Sequence, residues 1–378
     1  MKIVYITHEE ILGLAYSGGI QCSKRNLSLL RDAFGSENIY VCVITKNHDY
    51  SSKSIGNVKV FYSKCNRNLH SVLNALKGRM IFEKKVENEI LKHINRLKCD
   101  LVFFELSKMG NLQKRMPKNI KQVLFLQNIE KNFIKNQLRK RPEALLLFMP
   151  TIINEKRAIK YSDYIIALNK RDAALLDKYY NRSPDLIIPI TFDDSFIEPE
   201  NDKPGSVSQL KLLFIGSFFP SNEIGVTWFV NQVMPYVNAE FTIVGKGFER
   251  ITKKLSRKNV RVLGKVEDLP QCYYSTDAIV SPILFGDGMK VKTAEALMYG
   301  KPIFATDEAL EGYEVNEQQN IFRCNTPEEF ITSINTYADK FPFISYDKSI
   351  RALFLEKYHT PSYIPILQEG LSVIIKPS

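Results

Sequence analysis

The apolar positions of this chain form short continuous runs that alternate with longer stretches of helical periodicity. Residues 1–190 contain the runs KIVYIT, YVCVIT, VKVFYS, DLVFFEL, KQVLFLQN and DYIIALN. Such runs, rich in β-branched and aromatic residues, are typical of parallel strands buried on both faces. The stretches FEKKVENEILKHINRL and RDAALLDKYY between them have helical spacing. The alternation predicts an α/β fold with a doubly wound, Rossmann-like sheet in residues 1–190.

A second alternation of the same kind follows. Its predicted strands KLLFIG, EFTIVG, VRVLG, AIVSPI and KPIFAT lie in residues 209–345, which we interpret as a second Rossmann-like domain. Residues 191–208 are acidic, contain Pro, Gly and Ser, and lack apolar periodicity, so we predict a linker there. Residues 346–378 are predicted to be helical and to cross back onto the first domain. Two such domains favour a ligand held in the cleft between the carboxyl ends of their strands.

Length and composition agree with two soluble domains. The 378 residues exceed the size at which one hydrophobic core stops growing. The opening MKIVYITHEE does not have the pattern of a signal peptide, and no apolar run reaches the roughly 18 residues of a membrane span. The six cysteines are scattered without a CxxC pair, which argues for reduced thiols and against a zinc site. We therefore expect a cytoplasmic protein.

The charge of the chain is divided unevenly. Residues 1–190 hold 33 Lys and Arg against 17 Asp and Glu, whereas residues 191–378 hold 19 against 24. The first part therefore carries +16 and the second −5, which indicates either an anionic partner for the first part or a solvated basic face. Basic residues lie beside apolar ones in EKNFIKNQLRKRPEALLLFMP. This combination favours peripheral attachment to an anionic membrane surface over nucleic acid, for which no motif is present.

The stretch SPILFGDGMKVKTAEALMYGKPIFATD, residues 281–307, holds the most chemical information. Gly286 and Gly288 would let the backbone approach a ligand closely. A helix starting near Met289 would direct its free N–H groups into the same loop, and Lys290 and Lys292 add positive charge there. The pattern predicts a site for a diphosphate.

Three side chains of this stretch are candidates for catalysis or binding. Departure of a nucleoside diphosphate builds negative charge on a phosphate, which Lys290 would stabilise as a catalytic group. Glu295 could accept two hydroxyl hydrogen bonds from a ribose, and Asp287 could accept from a sugar. Each also has an ordinary structural interpretation: Asp287 as a helix cap, and Lys292 with Glu295 as an exposed ion pair.

The same stretch resembles the donor-site signature of family 4 glycosyltransferases, in which seven residues separate two acidic positions, here Asp287 and Glu295. GDGMKVKTAEA is similar to the variant Gly-x-Gly-x-Lys-x-Lys-x-x-Glu-Ala of members that build polysaccharides. FIGSFFPSNEIGVTWFVNQVMPYV and FTIVGKG resemble the segments that precede it. The resemblance covers roughly residues 210–310.

This resemblance implies the GT-B fold, in which two Rossmann-like domains face each other across a cleft and the second holds a nucleotide sugar. It also implies retention of anomeric configuration, with no metal and no cofactor besides the nucleotide-sugar substrate. Residues carried over from the family are the following: Asp287, Gly288 and Met289 toward the donor sugar, Glu295 toward the ribose, and Gly216 and Ser217 along the diphosphate. Lys290 and Lys292 would replace the Arg and Lys that relatives carry after the preceding strand, because this chain reads GSFFPSNE there.

The first domain resembles the family less closely. Gly18 and Gly19, in the loop SGGI, would meet the donor phosphates, although a Gly-Gly pair is also a common turn. Gln127 and Asn128 stand where many relatives have a histidine after a strand, so a histidine base is not predicted. His8 ends the first strand and is a candidate on the acceptor side with Gln127 and Asn128.

The sequence leaves three hypotheses. The first is a metal-independent, retaining hexosyltransferase of bacterial polysaccharide or lipopolysaccharide assembly. It would act on a glycan or lipid-linked acceptor and lie peripherally on the inner face of the membrane. The second is a non-catalytic GT-B partner subunit, and the third is a GT-B nucleotide-sugar epimerase.

Overall fold

A computed structural model describes residues 1–8, 11–12, 18–46, 56–63, 81–138, 145–199, 209–315, 320–340 and 342–375. The chain divides into two compact units. The first unit comprises Met1–Pro189 and Thr360–Ser378, and the second comprises Ile190–His359. No helix among the described residues is long and apolar enough to cross a membrane.

The first unit is built on a parallel sheet of seven strands in the order β3-β2-β1-β4-β5-β6-β7. Nearly every residue of the central strands is buried, as the continuous apolar runs predict. The order reverses between β1 and β4, and ligands of such sheets bind near the carboxyl ends of the strands at that reversal. The strands are β1 Ile3–Thr7, β2 Ile39–Thr45, β3 Val58–Tyr62, β4 Leu101–Glu105, β5 Lys121–Leu126, β6 Tyr164–Ala167 and β7 Leu186–Ile187.

Helices cover the first sheet, and the last of them comes from the end of the chain. The C-terminal helix packs on α1, where the Gln368 amide donates to the carbonyl of Ala33. Gly370 lies against the Tyr164 hydroxyl, since a Cβ there would come within 2.5 Å of it. The predicted return of the C-terminal helix to the first domain is confirmed. The helices are α1 Gly18–Phe34, α2 Lys84–Leu97, α3 Gly110–Gln113, α4 Glu130–Leu138, α5 Leu145–Tyr161, α6 Lys170–Tyr180 and, at the end of the chain, α14 Ile364–Ile375.

The second unit has a parallel sheet of six strands in the order β10-β9-β8-β11-β12-β13, with its reversal between β8 and β11. The strands are β8 Leu210–Ile215, β9 Ala239–Val244, β10 Val260–Gly264, β11 Ala278–Ser281, β12 Ile303–Ala305 and β13 Ile321–Arg323. The helices are α7 Pro220–Gln232, α8 Thr252–Leu255, α9 Leu269–Tyr274, α10 Val291–Met298, α11 Asp307–Leu310, α12 Pro327–Ala338 and α13 Lys348–Lys357.

A glycine brings α7 against the strand that leads to the glycine-rich loop. A Cβ on Gly225 would lie only 1.9 Å from the carbonyl oxygen of Pro282. The close approach requires glycine at this point of the helix, because any side chain would push helix and strand apart. It fixes the start of α7 beside the residues that follow β11.

Residues 190–199 pack on the second unit, although 191–208 had the composition of a linker. The centroid of the Phe196 ring lies 5.0 Å from that of the Tyr346 ring, and the Arg351 guanidinium lies 4.4 Å from the centroid of the Phe196 ring. Arg351 also forms an ion pair with Asp194 at 2.6 Å. One aromatic and one paired acid therefore anchor a segment whose average composition is polar. Residues 200–208 of the predicted linker lie outside the described residues.

The predicted C-terminal segment 346–378 is divided between the two units. Helix α13 packs against α10 in the second unit, and the first unit begins again at Thr360. The change occurs beside Tyr358, whose hydroxyl accepts from the backbone N–H of Glu314.

Candidate functional sites at the carboxyl edges of the two sheets

At the end of β8 the backbone turns through Gly216 and Ser217, and a side chain on Gly216 would crowd Asn222 and Lys292. A Cβ on Gly216 would lie 2.9 Å from Asn222 Nδ2 and 3.1 Å from Lys292 Nζ. From the other side, a Cβ on Gly245 would meet the Gly216 carbonyl oxygen at 1.8 Å. The predicted diphosphate residue Gly216 is therefore closely packed, next to a lysine and an asparagine from two helices. The contact of Gly216 and Ser217 with a diphosphate stays a prediction.

Lys292 is the cation that the fold brings to this loop. Its Nζ donates to Asn222 Oδ1 at 2.8 Å and lies 4.2 Å above the Phe214 ring. Asn222 in turn donates to the Ser217 carbonyl at 2.8 Å. Burial and, to a smaller extent, the positive charge of Lys290 lower the pKa of Lys292 to about 7, and Glu295 opposes part of this shift. An arriving anion would favour the charged ammonium.

Lys290 has a different environment from the one its sequence position suggested. Its Nζ forms an ion pair with Glu308 Oε1 at 2.7 Å and donates to the Gly288 carbonyl at 2.8 Å. Helix α10 begins at Val291, so Lys290 precedes the helix in an extended conformation, and the helix starts two residues later than predicted. Glu308 thus pairs with this ammonium, whereas Lys292 is the lysine that lies beside Gly216. The catalytic role of Lys290 stays a prediction.

The glycine-rich loop wraps around the Lys290 side chain. Gly288 has φ of +67°, a left-handed conformation that favours glycine. A Cβ on Gly286 would lie 3.2 Å from Lys290 Cε. Asp287 is partly buried, and Met289 is buried, so only the backbone of Met289 could meet a ligand. The predicted contact of Asp287, Gly288 and Met289 with a donor sugar stays a prediction.

Glu295 lies on the buried side of α10, only 6% exposed. Its Oε2 accepts from the Tyr273 hydroxyl at 3.2 Å. The Tyr273 ring stacks on Tyr299 at 4.4 Å between ring centroids. Tyr273 is 22 residues earlier in the chain, and no local sequence signal pointed to it. The contact of Glu295 with a ribose stays a prediction, to which the structure adds an orienting tyrosine.

In the first unit, Gly18 and Gly19 are the first residues of helix α1 and not part of a loop. Glycine is tolerated in a first turn, where backbone N–H groups have no partner within the helix. His8 follows β1 and is partly buried; burial, with Lys108 and Lys46 nearby, lowers the pKa of His8 to about 3. Its imidazole is therefore neutral at physiological pH.

Gln127 and Asn128 follow β5 at the same edge. Gln127 Nε2 donates to Glu105 Oε1 at 2.7 Å, to Ser23 Oγ at 3.1 Å and to the Gly19 carbonyl at 3.3 Å. Asn128 Oδ1 is buried and accepts no hydrogen bond from the described residues. The structure thus brings Gln127 to Gly19 at the start of α1 and to Glu105, to which no sequence motif pointed.

Two buried carboxylates organise this edge. Glu105 ends β4 and also accepts from the Tyr5 hydroxyl at 2.8 Å and from Asn26 at 3.0 Å; burial raises the pKa of Glu105. Glu155 accepts from the backbone N–H groups of Glu130 and Lys131 at 2.6 and 3.0 Å, and its burial raises its pKa to about 7. Glu155 therefore holds the start of α4, just after Asn128. Among the described residues, no three His, Cys, Asp or Glu side chains gather as metal ligands would.

Comparisons with known proteins agree with this architecture. Residues 209–340 match the protein family described as Glycosyl transferases group 1. The chain is 26% identical over 142 residues to an uncharacterized 44.6 kDa protein in the cps region of Klebsiella pneumoniae, a match that covers 34% of this chain and 37% of that protein.

Solved structures resemble the whole chain. A sucrose-phosphate synthase from Thermosynechococcus elongatus is similar with a TM-score of 0.74 and 14% identity, over 99% of this chain and 98% of its own. Anabaena HepE, solved with UDP-glucose, has a TM-score of 0.67 and 15% identity, over 99% of this chain and 100% of its own. WaaG, a glycosyltransferase involved in lipopolysaccharide biosynthesis, has a TM-score of 0.64 and 15% sequence identity over the full length of both chains. Identities this low show the fold alone.

Replacing Lys292 by Met should change how the free energy of unfolding depends on pH. The folded-state pKa of about 7 lies below the ordinary value of 10.5. The unfolded chain therefore binds more protons between these values, and wild-type stability gains from Lys292 as the pH rises through that window. We expect the stability of Lys292→Met relative to wild type to be greatest at or below about pH 7 and to decrease toward pH 10.

Urea unfolding at a series of pH values measures this difference. Lys211→Met, at an exposed lysine on β8, is the control and should not show the same trend. Parallel pH profiles for wild type and Lys292→Met would contradict the assignment of the lowered pKa to Lys292.

The two parallel sheets, together with the solved structures that resemble the whole chain, show the GT-B fold with two Rossmann-like domains, and residues 209–340 match the glycosyl transferases group 1 family.

Proposed function

We propose that the chain is a retaining, metal-independent glycosyltransferase that takes a sugar from a nucleotide-sugar donor. The observation that carries the proposal is the convergence of Gly216, Asn222 and Lys292 at the reversal of the second sheet. A tight backbone turn lies beside the Lys292 amine, and a bound anion would favour the protonated form of that amine. Such an arrangement suits the diphosphate of a donor. The family match over the same residues supports this interpretation.

In the proposed reaction, the bond between the anomeric carbon and a β-phosphate oxygen breaks, and an acceptor hydroxyl oxygen forms the new bond on the same face. The leaving phosphate takes the proton of that hydroxyl, so no side-chain base is required. Negative charge grows on the phosphate as the bond breaks, and Lys292 would stabilise it more strongly in the transition state than in the bound donor. Lys290, paired with Glu308, would shape the loop that meets the sugar.

The basic first unit suggests where the acceptor is found. At the start of α5, Leu145, Leu146 and Met149 are 64%, 64% and 58% exposed. Exposed lysines follow on the same helix, at Lys156 and Lys160. Exposed leucines next to basic side chains suit an anionic lipid surface. We infer a peripheral position on the inner face of the membrane and an acceptor that is a glycan or a lipid-linked sugar of cell-surface polysaccharide or lipopolysaccharide assembly.

A screen of nucleotide sugars tests the proposed activity. The purified chain is incubated with UDP-, GDP-, dTDP-, ADP- and CMP-sugars, and thermal shift and slow donor hydrolysis are recorded together. We expect one donor to stabilise the protein and to be hydrolysed with its anomeric configuration retained. Lys292→Met should lower the rate of hydrolysis by a larger factor than it lowers donor affinity.

The other outcomes of the screen distinguish the two alternatives. Stabilisation without turnover, even with membrane lipid added, would favour a non-catalytic GT-B partner. Conversion of the donor to an epimer would favour a nucleotide-sugar epimerase. If no donor binds, the proposal is wrong.

Vesicle binding tests the proposed membrane surface. The double variant Leu145→Glu/Leu146→Glu should bind vesicles of phosphatidylglycerol and phosphatidylcholine roughly tenfold or more weakly, because it removes two apolar side chains and adds two negative charges. Cosedimentation gives the affinity, and added salt should weaken wild-type binding. Ile197→Glu, at a 75% exposed apolar residue of the second unit, is the matched control and should bind like wild type. Equal binding by the double variant would rule out this surface.

A further inference from the structure

The amide of Gln127 is held from one side only. Its Nε2 donates to Glu105, Ser23 and Gly19. These are the hydrogen bonds that the described residues make with the Gln127 side chain, and in none of them is Oε1 the acceptor. The residue is partly exposed at the end of β5. An acceptor oxygen is therefore presented at the carboxyl edge of the first sheet.

The neighbours of the amide decide which of its two ends is the nitrogen. The backbone carbonyl of Gly19 can only accept a hydrogen bond, and an ionised Glu105 can also only accept. An oxygen in the place of Nε2 would face two acceptors without a proton between them. The orientation of this amide, which often has to be assigned from its surroundings, is therefore fixed by them.

Glu105 is the strongest of these constraints because its carboxylate is fully buried and receives several donors. Tyr5 and Asn26 donate to it in addition to Gln127. Burial raises the pKa of Glu105, and this shift is opposed by these hydrogen bonds and by the positive charge of Arg25, which is itself nine-tenths buried. A hydrogen bond from an amide to a buried carboxylate is stronger than one between neutral groups. Glu105 thus orients the Gln127 amide while its own side chain stays buried.

The next residue provides a second acceptor. Asn128 Oδ1 is buried and has no hydrogen-bond partner among the residues that the structure describes, which is costly unless a ligand or water supplies one. Two carbonyl oxygens on consecutive residues suit a ligand that donates hydrogen bonds. They would repel a phosphate, whereas sugar hydroxyls are donors.

We propose that Glu105 is a positioning residue that fixes Gln127 with its amide oxygen toward a sugar hydroxyl at the carboxyl edge of the first sheet. This inference rests on the proposed function, because it takes the ligand to be a sugar. The hydroxyl belongs either to the sugar being transferred or to the acceptor. Both sources offer the same chemistry, and the experiment below separates them.

The experiment compares Glu105→Gln, which frees the amide to rotate, with Gln127→Met, which removes its oxygen. Tyr5→Phe is the matched control, because it removes another donor to Glu105 and leaves Gln127 untouched. The first measurement is the exchange rate of the Gln127 side-chain amide protons by NMR in the ligand-free protein. We expect Glu105→Gln to accelerate exchange roughly 10- to 100-fold and Tyr5→Phe to leave it near the wild-type rate.

The second measurement uses the nucleotide sugar that the donor screen selects and the matching nucleoside diphosphate. If the hydroxyl is that of the transferred sugar, Glu105→Gln and Gln127→Met should weaken nucleotide-sugar binding about 3- to 10-fold and leave diphosphate binding unchanged. If it is that of the acceptor, donor binding stays the same and the KM for the acceptor rises by a similar factor. Tyr5→Phe should change neither.

Three results would overturn the inference. Amide exchange unaffected by Glu105→Gln would show that Glu105 does not fix Gln127. Equal effects of Tyr5→Phe and Glu105→Gln would show a structural role only. Wild-type behaviour of Gln127→Met toward both donor and acceptor would show that no hydroxyl is bound. If wild type binds no nucleotide sugar, the proposed function fails, and the amide exchange still reports independently on the role of Glu105.

Discussion

The site in the second unit depends on where one ammonium group is held. Lys292 reaches from the first turn of α10 to Asn222 on α7, and both lie against the backbone of Gly216. Phe214 below the ammonium offers an aromatic face but no full negative charge, so the cation is only partly compensated. The close approach of Gly225 to Pro282 and of Gly245 to Gly216 keeps these elements in position. The glycines thus allow the backbone to pack closely around Lys292, whose positive charge the proposed diphosphate would neutralise.

The first unit uses buried negative charge for a related purpose. Glu105 accepts a hydrogen bond from Gln127, Glu155 accepts from the backbone N–H groups of Glu130 and Lys131, and each of the two buried carboxylates has several donors. Burying carboxylates is costly, so a fully hydrogen-bonded pair of them restricts the local backbone and side chains to few conformations. Both sites follow strands at or beside the reversal of their sheet, where a Rossmann-like fold leaves room for ligands.

The sequence was sufficient for the strands other than β7 and β13 and for the helical character of the C-terminal segment, because these depend on local periodicity and composition. It could not reveal partners that the fold brings from far along the chain. Glu308, which pairs with Lys290, lies in the short helix α11, and Asn222 and Tyr273 reach the site from two other helices. Composition also misled at residues 191–199, since Phe196 and Asp194 anchor a mostly polar segment. The positive φ of Gly288 delays the helix, which changes the environment of Lys290.

The most direct test of the account is the uptake of protons when a nucleoside diphosphate binds. Calorimetry at about pH 8 in buffers of different ionisation enthalpy measures this uptake, and at that pH the free site is mostly uncharged at Lys292. Wild type should take up a fraction of a proton per bound diphosphate, because the phosphates favour the charged ammonium, and Lys292→Met should lack this uptake. Tight binding with the same proton balance in both proteins would contradict the placement of the diphosphate at Lys292.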